Sequence, residues 1–427
     1  MNNRLNHDES HVWLPFTQID SSSSNQIALR GSGAYLYNEK NEPIIDGISS
    51  WWVTLHGHGN EYIANAISIQ AKKLEQVILA DFTHEAAEKI ARRLSFRTNL
   101  QRAFFSDNGS TAVEVALKIA CQWWQNINEP RHQIIAFNGA YHGDTFGAMA
   151  LGERNLFNAP FEKMLFPVAR VPWPETWLGD DEVDLKEKEA LDKLESLLIV
   201  PTAAVIIEPL VQGAGGMKMV REEFLKKVDY LVKQSGALLI ADEVMTGFGR
   251  CGRLFAHQCS DIQPDLISLS KGLTGGFLPM GITMASEKIF SAFISNQPEL
   301  TFWHGHSFTG NPLGCAAANA SLDLLEATPS LYENFEARHS AHLTIINQHP
   351  KVRRARLKGT IAAFEIKVDG PRGYLNHAGK QIKKDALEEG VFIRPLGDVV
   401  YLLPPLCISD DQLEKCYFVI QNCLDKL

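Results

Sequence analysis

The chain has no apolar run approaching the roughly 20 residues that a bilayer-spanning helix needs. Its longest stretches, such as Ala203–Ile207 and Ala237–Ala241, are the size of a strand, so no membrane span is expected. The stretch Met1–Ser10 is polar and lacks the apolar core of a secretory signal. The seven cysteines are scattered and form no Cys-x-x-Cys pair. That disfavours a disulfide framework or a zinc cluster and points to a reducing, cytoplasmic setting. No dense Lys/Arg block occurs and the formal net charge is -9, which argues against nucleic acid or an anionic membrane surface as the main partner. There is no internal repeat, and the one biased patch, Ser21–Ser24, reads as a polar surface loop.

With 427 residues, 45% of them hydrophobic and 21% charged, the chain can bury one large core and a smaller second one. Residues 31 to 48 alternate apolar and polar around the turn signal Asn41-Glu42-Pro43, which predicts a hairpin of short strands. From about residue 60, β-branched runs (Gln133–Phe137, Ala203–Ile207, Ala237–Ile240, Leu266–Leu269) alternate with helical stretches such as Glu222–Lys233. This pattern predicts an α/β fold with a mostly parallel sheet covered on both faces. After residue 330 a helical segment, Leu331–His349, precedes a strand over Gly359–Ile366 and a loop over Gly370–Tyr374. The expected division is an N-terminal segment 1–59, a large domain 60–325 and a smaller C-terminal domain 326–427, with both chain ends packed together.

The chemistry gathers at strand ends. Ala237-Leu-Leu-Ile-Ala-Asp242-Glu243 runs an apolar strand into a carboxylate, followed by Thr246-Gly-Phe-Gly-Arg250. One crossover later, Leu266–Leu269 runs into Ser270-Lys271-Gly272. In parallel sheets ligands sit beyond the carboxyl ends of the strands, so Asp242 and Lys271 are expected to face one crevice. Such a pair suits pyridoxal phosphate: a lysine amine to form a Schiff base with the aldehyde, and a carboxylate to keep the pyridine nitrogen protonated. Ser106-Asp-Asn-Gly109-Ser110-Thr111 precedes a helix whose Val113, Ala116, Leu117, Ala120 and Trp124 fall on one stripe. Thr111 and Glu114 have capping-box spacing, and the segment reads either as a plain helix cap or as an anion site. Tyr141, just past a strand end, is placed either to lie flat on a cofactor ring or in the core. Glu208 at the next strand end reads either as a buried carboxylate with a partner such as Arg250 or as one that hydrogen-bonds solvent. His56 and His58, and His304 and His306, alternate with glycine in loops without a carboxylate or cysteine cluster, so no metal site is expected.

Taken together, these motifs resemble the class III (ω-type) aminotransferases of the fold-type I pyridoxal-phosphate superfamily, over essentially the whole chain. Asp46-Gly-Ile-Ser-Ser-Trp51-Trp52, Tyr141-His-Gly-Asp-Thr-Phe-Gly147, Glu208-Pro-Leu-Val-Gln-Gly-Ala-Gly-Gly216, Phe392-Ile-Arg394-Pro395 and Tyr401-Leu-Leu-Pro404-Pro405 narrow the resemblance. They point to the branch that aminates 8-amino-7-oxononanoate with S-adenosylmethionine in biotin biosynthesis. The resemblance implies that Lys271 is the Schiff-base lysine and proton shuttle, that Asp242 pairs with the pyridine nitrogen, and that Gly109 and Ser110 bind phosphate. It also implies that Tyr141 stacks on the ring, that Asp144 helps hold the site, and that Trp52 and Tyr141 line the substrate pocket. Arg394 would grip the substrate carboxylate, a bidentate task suited to guanidinium. Ser307 and Gly305 would be contributed by the neighbouring subunit of a homodimer with shared sites. Two positions depart from the best-known members: Phe16 stands where they have tyrosine, close to the substrate, and His306-Ser307 where they have Pro-Thr. The rival readings are an aminotransferase using lysine or another ω-amine, an aminomutase, and a binding protein without cofactor.

Overall fold

The computed structural model describes residues 5–6, 11–17, 24–368, 376 and 378–427. Most of the Ser21–Ser24 patch and the expected loop Gly370–Tyr374 lie outside them. Near the N-terminus, β1 (Ala28–Ser32), β2 (Tyr35–Asn38) and β3 (Pro43–Asp46) form an antiparallel meander. The turn into β3 is made by Asn41 in the left-handed region, φ 61°, a conformation asparagine tolerates better than most residues.

A seven-stranded sheet forms the centre of the molecule. Its strands are β4 (Arg102–Ser106), β5 (Gln133–Phe137), β6 (Ala169–Val171), β7 (Thr202–Ile207), β8 (Leu238–Asp242), β9 (Leu266–Leu269) and β10 (Gly281–Ala285). They lie in the order β4-β10-β9-β8-β7-β5-β6. Four neighbouring pairs are parallel, and only β10 runs against both of its neighbours. Strands β7, β8 and β9 are buried at every position. Their sequences, TAAVII, LLIAD and LISL, are nearly continuous in apolar residues because helices cover both faces. The helix Gly109–Asn126 buries the expected stripe and also Ala112, Val115, Ile119 and Trp123, so it is enclosed on more than one side. The helix Glu222–Ser235 stops at Gly236, which takes φ 72° as helix C-termini favour. The carboxyl ends of β8 and β9 deliver Asp242 and the Ser270-Lys271 pair to one rim of the sheet.

Two smaller sheets of three and four strands accompany it, besides two two-stranded ribbons. In the first, β11 (Val352–Lys358), β12 (Ile361–Ile366) and β14 (Val399–Leu402) are antiparallel; in the second, β13 (Val391–Phe392) runs parallel to β3 and extends the N-terminal meander. The two chain ends thus share one sheet. Strand β11 has no counterpart in the sequence reading. Its charged residues Arg353, Arg354 and Arg356 and a bulge at Arg354 (φ 51°) erase the alternation that marks a strand. The helix expected over Leu331–His349 is two helices, Ser330–Glu333 and Phe335–Asn347, because Asn334 (φ −98°, ψ 2°) leaves the helical path between them. No helix among the described residues is long and apolar enough to cross a membrane.

Candidate active site

A cavity of about 650 Å³ opens at the carboxyl ends of β7, β8 and β9, lined on its polar side by Asn108–Ser110, Tyr141–Thr145, Glu208, Asp242 and Lys271. Trp52, Val53, Met245 and Phe277–Met280 form its apolar side. Lys271 sits directly after β9 and holds φ 47°, a strained value for a residue with a side chain. It is mostly buried, with Nζ 4.6 Å from the centroid of the Trp52 ring. Burial lowers its pKa to about 8, helped by the nearby Arg250 cation and opposed by Asp242 and Glu208. The neutral amine is the form that can attack a carbonyl or take a proton, and the lowered pKa makes that form far more accessible near neutral pH than in an ordinary lysine.

Asp242 is fixed from two directions. Its Oδ1 accepts the Val244 N–H at 3.1 Å, and its Oδ2 lies 2.7 Å from His142 Nδ1. His142 is buried, and its Nε2 has no hydrogen-bond partner among the described residues. His142 lies inside the Tyr141 motif, and nothing else in the sequence marks it for a role. Its signal was its place beside Tyr141 in the same loop, while its partner lies 100 residues away. The adjacent acid, Glu243, takes no part in the cavity. It accepts from Ala256 N, His257 N and His257 Nδ1 and ties down the following loop.

At the helix start, the Asn108 carboxamide accepts from Thr111 N at 3.0 Å, and Thr111 Oγ1 accepts from Asn108 N at 3.1 Å. The capping box is therefore Asn108–Thr111, not Thr111–Glu114. The helix starts earlier than the spacing suggested, leaving Glu114 on its side. There Glu114 accepts from Thr145 Oγ1 (2.6 Å), Gly147 N (2.7 Å) and Ala148 N (3.1 Å), fastening the loop that follows Tyr141. Gly143 shows how closely that loop approaches the helix. It holds φ 134°, and a Cβ on it would lie 2.1 Å from Ser110 Oγ. A Cβ on Gly109 would lie 2.7 Å from Val244 Cγ1. The helix N-terminus thus presents backbone N–H groups and a serine hydroxyl in a cradle that only small residues leave open, which suits a phosphate. Cradle, buried lysine and fixed carboxylate together fit pyridoxal phosphate.

Tyr141 donates from its hydroxyl to Asp144 Oδ2 at 2.9 Å and lines the cavity, as does Asp144. Glu208 does not pair with Arg250. It accepts from Tyr141 N (3.1 Å) and Gly213 N (3.0 Å), and two backbone donors serve the carboxylate in place of a cation. Burial raises its pKa to about 7; the nearby His142 pulls it down and the charge on Asp242 adds to the rise. Arg250 instead donates to the carbonyls of Pro404 (2.8 Å) and Trp52 (3.5 Å), bracing the cavity wall. Trp52 donates from Nε1 to Tyr401 Oη at 3.0 Å.

Arg394 and Phe16 meet beside Trp51 and lie outside the cavity lining. Arg394 Nη2 donates to the Phe16 carbonyl at 3.1 Å, and the guanidinium stands 5.0 Å over the Trp51 ring. The Phe16 ring meets Trp51 edge-on at 5.6 Å. Gly305 and Ser307 are exposed and line no part of this chain's cavity; the Ser307 carbonyl accepts from Gln76 Nε2 at 2.6 Å. The paired histidines serve locally: His56 Nε2 lies 2.9 Å from Ser321 Oγ, His58 Nε2 lies 2.8 Å from Asp46 Oδ2, and His304 Nδ1 lies 3.0 Å from Lys118 Nζ.

The sequence profile of the class-III aminotransferases matches residues 19–424. A Synechococcus elongatus protein named adenosylmethionine-8-amino-7-oxononanoate aminotransferase is 53% identical over 420 residues, covering 98% of this chain and 99% of that protein. One of the same name from Geobacter sulfurreducens is 38% identical, covering 95% and 94%. Among solved structures, the Methanocaldococcus jannaschii protein of that name superposes with a TM-score of 0.89 at 31% identity, over 96% of this chain and 97% of that one. An amine transaminase from an uncultivated Pseudomonas species, in its pyridoxal-phosphate-bound form, gives 0.91 at 27% identity over 98% and 99%. With the strand-end lysine, the fixed carboxylate and the phosphate cradle in one cavity, the chain belongs to the class-III aminotransferases, enzymes that depend on pyridoxal phosphate.

Proposed function

We propose that the chain transfers an amino group from S-adenosylmethionine to 8-amino-7-oxononanoate, giving 7,8-diaminononanoate in biotin biosynthesis, as a cytoplasmic homodimer with shared sites. The observation that carries this reading is the shape of the site. An apolar wall of Trp52, Val53 and Phe277–Met280 flanks Lys271, and the adjoining Trp51 supports a guanidinium, Arg394. That arrangement suits a substrate with a long apolar chain and a carboxylate at its far end. The 53% identity with a relative of this name along the whole chain supports it. Gly305 and Ser307, exposed here, are then the residues each subunit lends to its neighbour.

When bound, pyridoxal phosphate supplies an electron sink for the charge left as a proton departs the amine-bearing carbon. Gly109 and Ser110 would hold the phosphate, and Tyr141, in the same cavity lining, would pack against the ring. Asp242, steadied by His142 and Val244 N–H, keeps a proton on the pyridine nitrogen. Lys271 removes the proton from the donor carbon, and in the second half of the cycle returns one to the acceptor carbon. Its lowered pKa suits an amine that must alternate between these tasks. The apolar side of the cavity keeps water from the reacting carbon. Arg394 binds the far carboxylate and so fixes which ketone presents itself.

The test is a donor half-reaction. The yellow holoenzyme is mixed separately with S-adenosylmethionine, L-lysine and a simple ω-amino acid, and its visible band is followed. Bleaching by S-adenosylmethionine, with diamine formed on adding 8-amino-7-oxononanoate, is the expected outcome. Bleaching only by lysine or the ω-amino acid would overturn the donor and leave the family standing.

A further inference from the structure

The segment that carries both tryptophans departs from ordinary backbone geometry. Ser49 (φ 51°), Ser50 (φ 61°) and Trp52 (φ 68°) all take positive φ. Ser50 combines φ 61° with ψ −56°, a tight γ-turn geometry that is rare and strained for residues bearing a Cβ. No glycine relieves residues 48–52. The contortion turns adjacent side chains apart: Trp52 is buried under Lys271, whereas Trp51 is partly exposed beneath Arg394 and Phe16.

Such strain persists only where the surroundings over-determine it, and here the surroundings converge on one carboxylate. Asp46 is completely buried. Its Oδ1 accepts from Ile48 N at 3.2 Å, and its Oδ2 accepts from Ser50 Oγ at 2.9 Å and lies 2.8 Å from His58 Nε2. His58 is itself fixed, because its backbone exchanges hydrogen bonds of 2.7 and 3.0 Å with Gly33. The side chain also lies close against Gly31, where a Cβ would come within 2.5 Å of the histidine Cβ. From the other end, Arg250 donates to the Trp52 carbonyl; burial lowers the pKa of that guanidinium to about 9, and the charge of Asp46 opposes the shift. Ser49 Oγ donates to Leu403 O at 2.8 Å.

We infer that Asp46 and His58 are positioning residues that hold residues 48–52 in this strained form, and that the strain sets substrate affinity by fixing Trp51 and Trp52 on the two sides of the acceptor subsite. The inference rests on the proposed placement of substrate against these rings. Neither residue touches the reacting atoms, so the effect belongs in KM and not in kcat.

Two pairs of variants of the holoenzyme test it by steady-state kinetics with S-adenosylmethionine and 8-amino-7-oxononanoate. His58→Leu removes the donor to Asp46, whereas His58→Gln keeps an N–H near the Nε2 position. The leucine variant should raise the acceptor KM about tenfold, the scale of one charge-assisted hydrogen bond, with kcat within about twofold. The glutamine variant should return KM to within about threefold of wild type. Ser50→Gly and Ser50→Ala both lack the hydroxyl and differ only in the Cβ held at positive φ. The glycine variant should melt higher than the alanine variant, by roughly 2 °C, yet show the larger acceptor KM, because a relaxed loop no longer fixes the rings. Equal KM values for the two His58 variants would overturn the inference. So would a glycine variant that melts no higher than the alanine variant, or one that keeps the wild-type KM. A wild-type enzyme that turns over a different amine and ketone would instead overturn the substrate assignment, and the same variants would then be compared on that pair.

Discussion

Replacing Lys271 by methionine should stabilise the cofactor-free protein while abolishing its activity. Lys271 is mostly buried, and its desolvation lowers its pKa from 10.5 to about 8. In the unfolded chain the amine returns to its ordinary value. Between pH 8 and 10.5 the unfolded state therefore binds more protons than the folded state, so stability rises with pH through that window. Below pH 8 both states are protonated, and the full cost of burying the cation is carried by the fold. A separation of 2.5 pKa units, from the two values just given, amounts to about 3 kcal/mol at pH 7 and under about 1 kcal/mol at pH 10. Methionine fills a similar volume without the charge. Calorimetry of the apoenzymes should show Lys271→Met melting roughly 3 °C above wild type at pH 7, for a chain of this size. The gap should shrink to roughly a third of that at pH 10. A variant no more stable than wild type at pH 7, or a gap independent of pH, would refute the claim that burial depresses this amine.

The His142–Asp242 contact predicts that His142→Ala slows the donor half-reaction about 10- to 100-fold, because a buried carboxylate oxygen loses the imidazole that holds it. His142→Asn, which keeps an N–H near Nδ1, should recover much of that rate in stopped-flow measurements, and a wild-type rate in the alanine variant would remove His142 from the machinery. Arg394→Ala should raise the KM for 8-amino-7-oxononanoate about 10- to 100-fold, the scale of a lost charge-assisted pair. An unchanged KM would take Arg394 out of the substrate site.

The parts of this fold that read most clearly in the sequence are those buried on both sides. Strands β5 and β9 coincide with the apolar runs that announced them, and Asp242 and Lys271 fall at strand ends as the crossover pattern required. Such runs are legible because burial on both faces demands apolar side chains at every position. What was illegible depends on contacts far apart in the chain. Strand β11 hides behind arginines whose partners, Glu175, Glu365 and the Met217 carbonyl, lie on other segments. The true partners of Glu208 are backbone N–H groups, which have no signature in a list of side chains. The cap at Asn108 displaced the one expected at Thr111 because two boxes with the same spacing overlap, and only the backbone path chooses between them.

The pairing of the two chain ends in one sheet has a consequence for how the enzyme comes into being. The lysine, the carboxylate and the phosphate cradle all lie within residues 109–271, so their part of the core is available once the central sheet has closed. The tryptophan wall is different. Trp52 leans on Tyr401, Ser49 on Leu403, and the strand leading to them on Val391 and Phe392. The first two contacts span 349 and 354 residues, and on a ribosome that delivers the N-terminus first they cannot both form until Leu403 has emerged. The residues of the reactive centre thus emerge before the surface that tells one substrate from another can form.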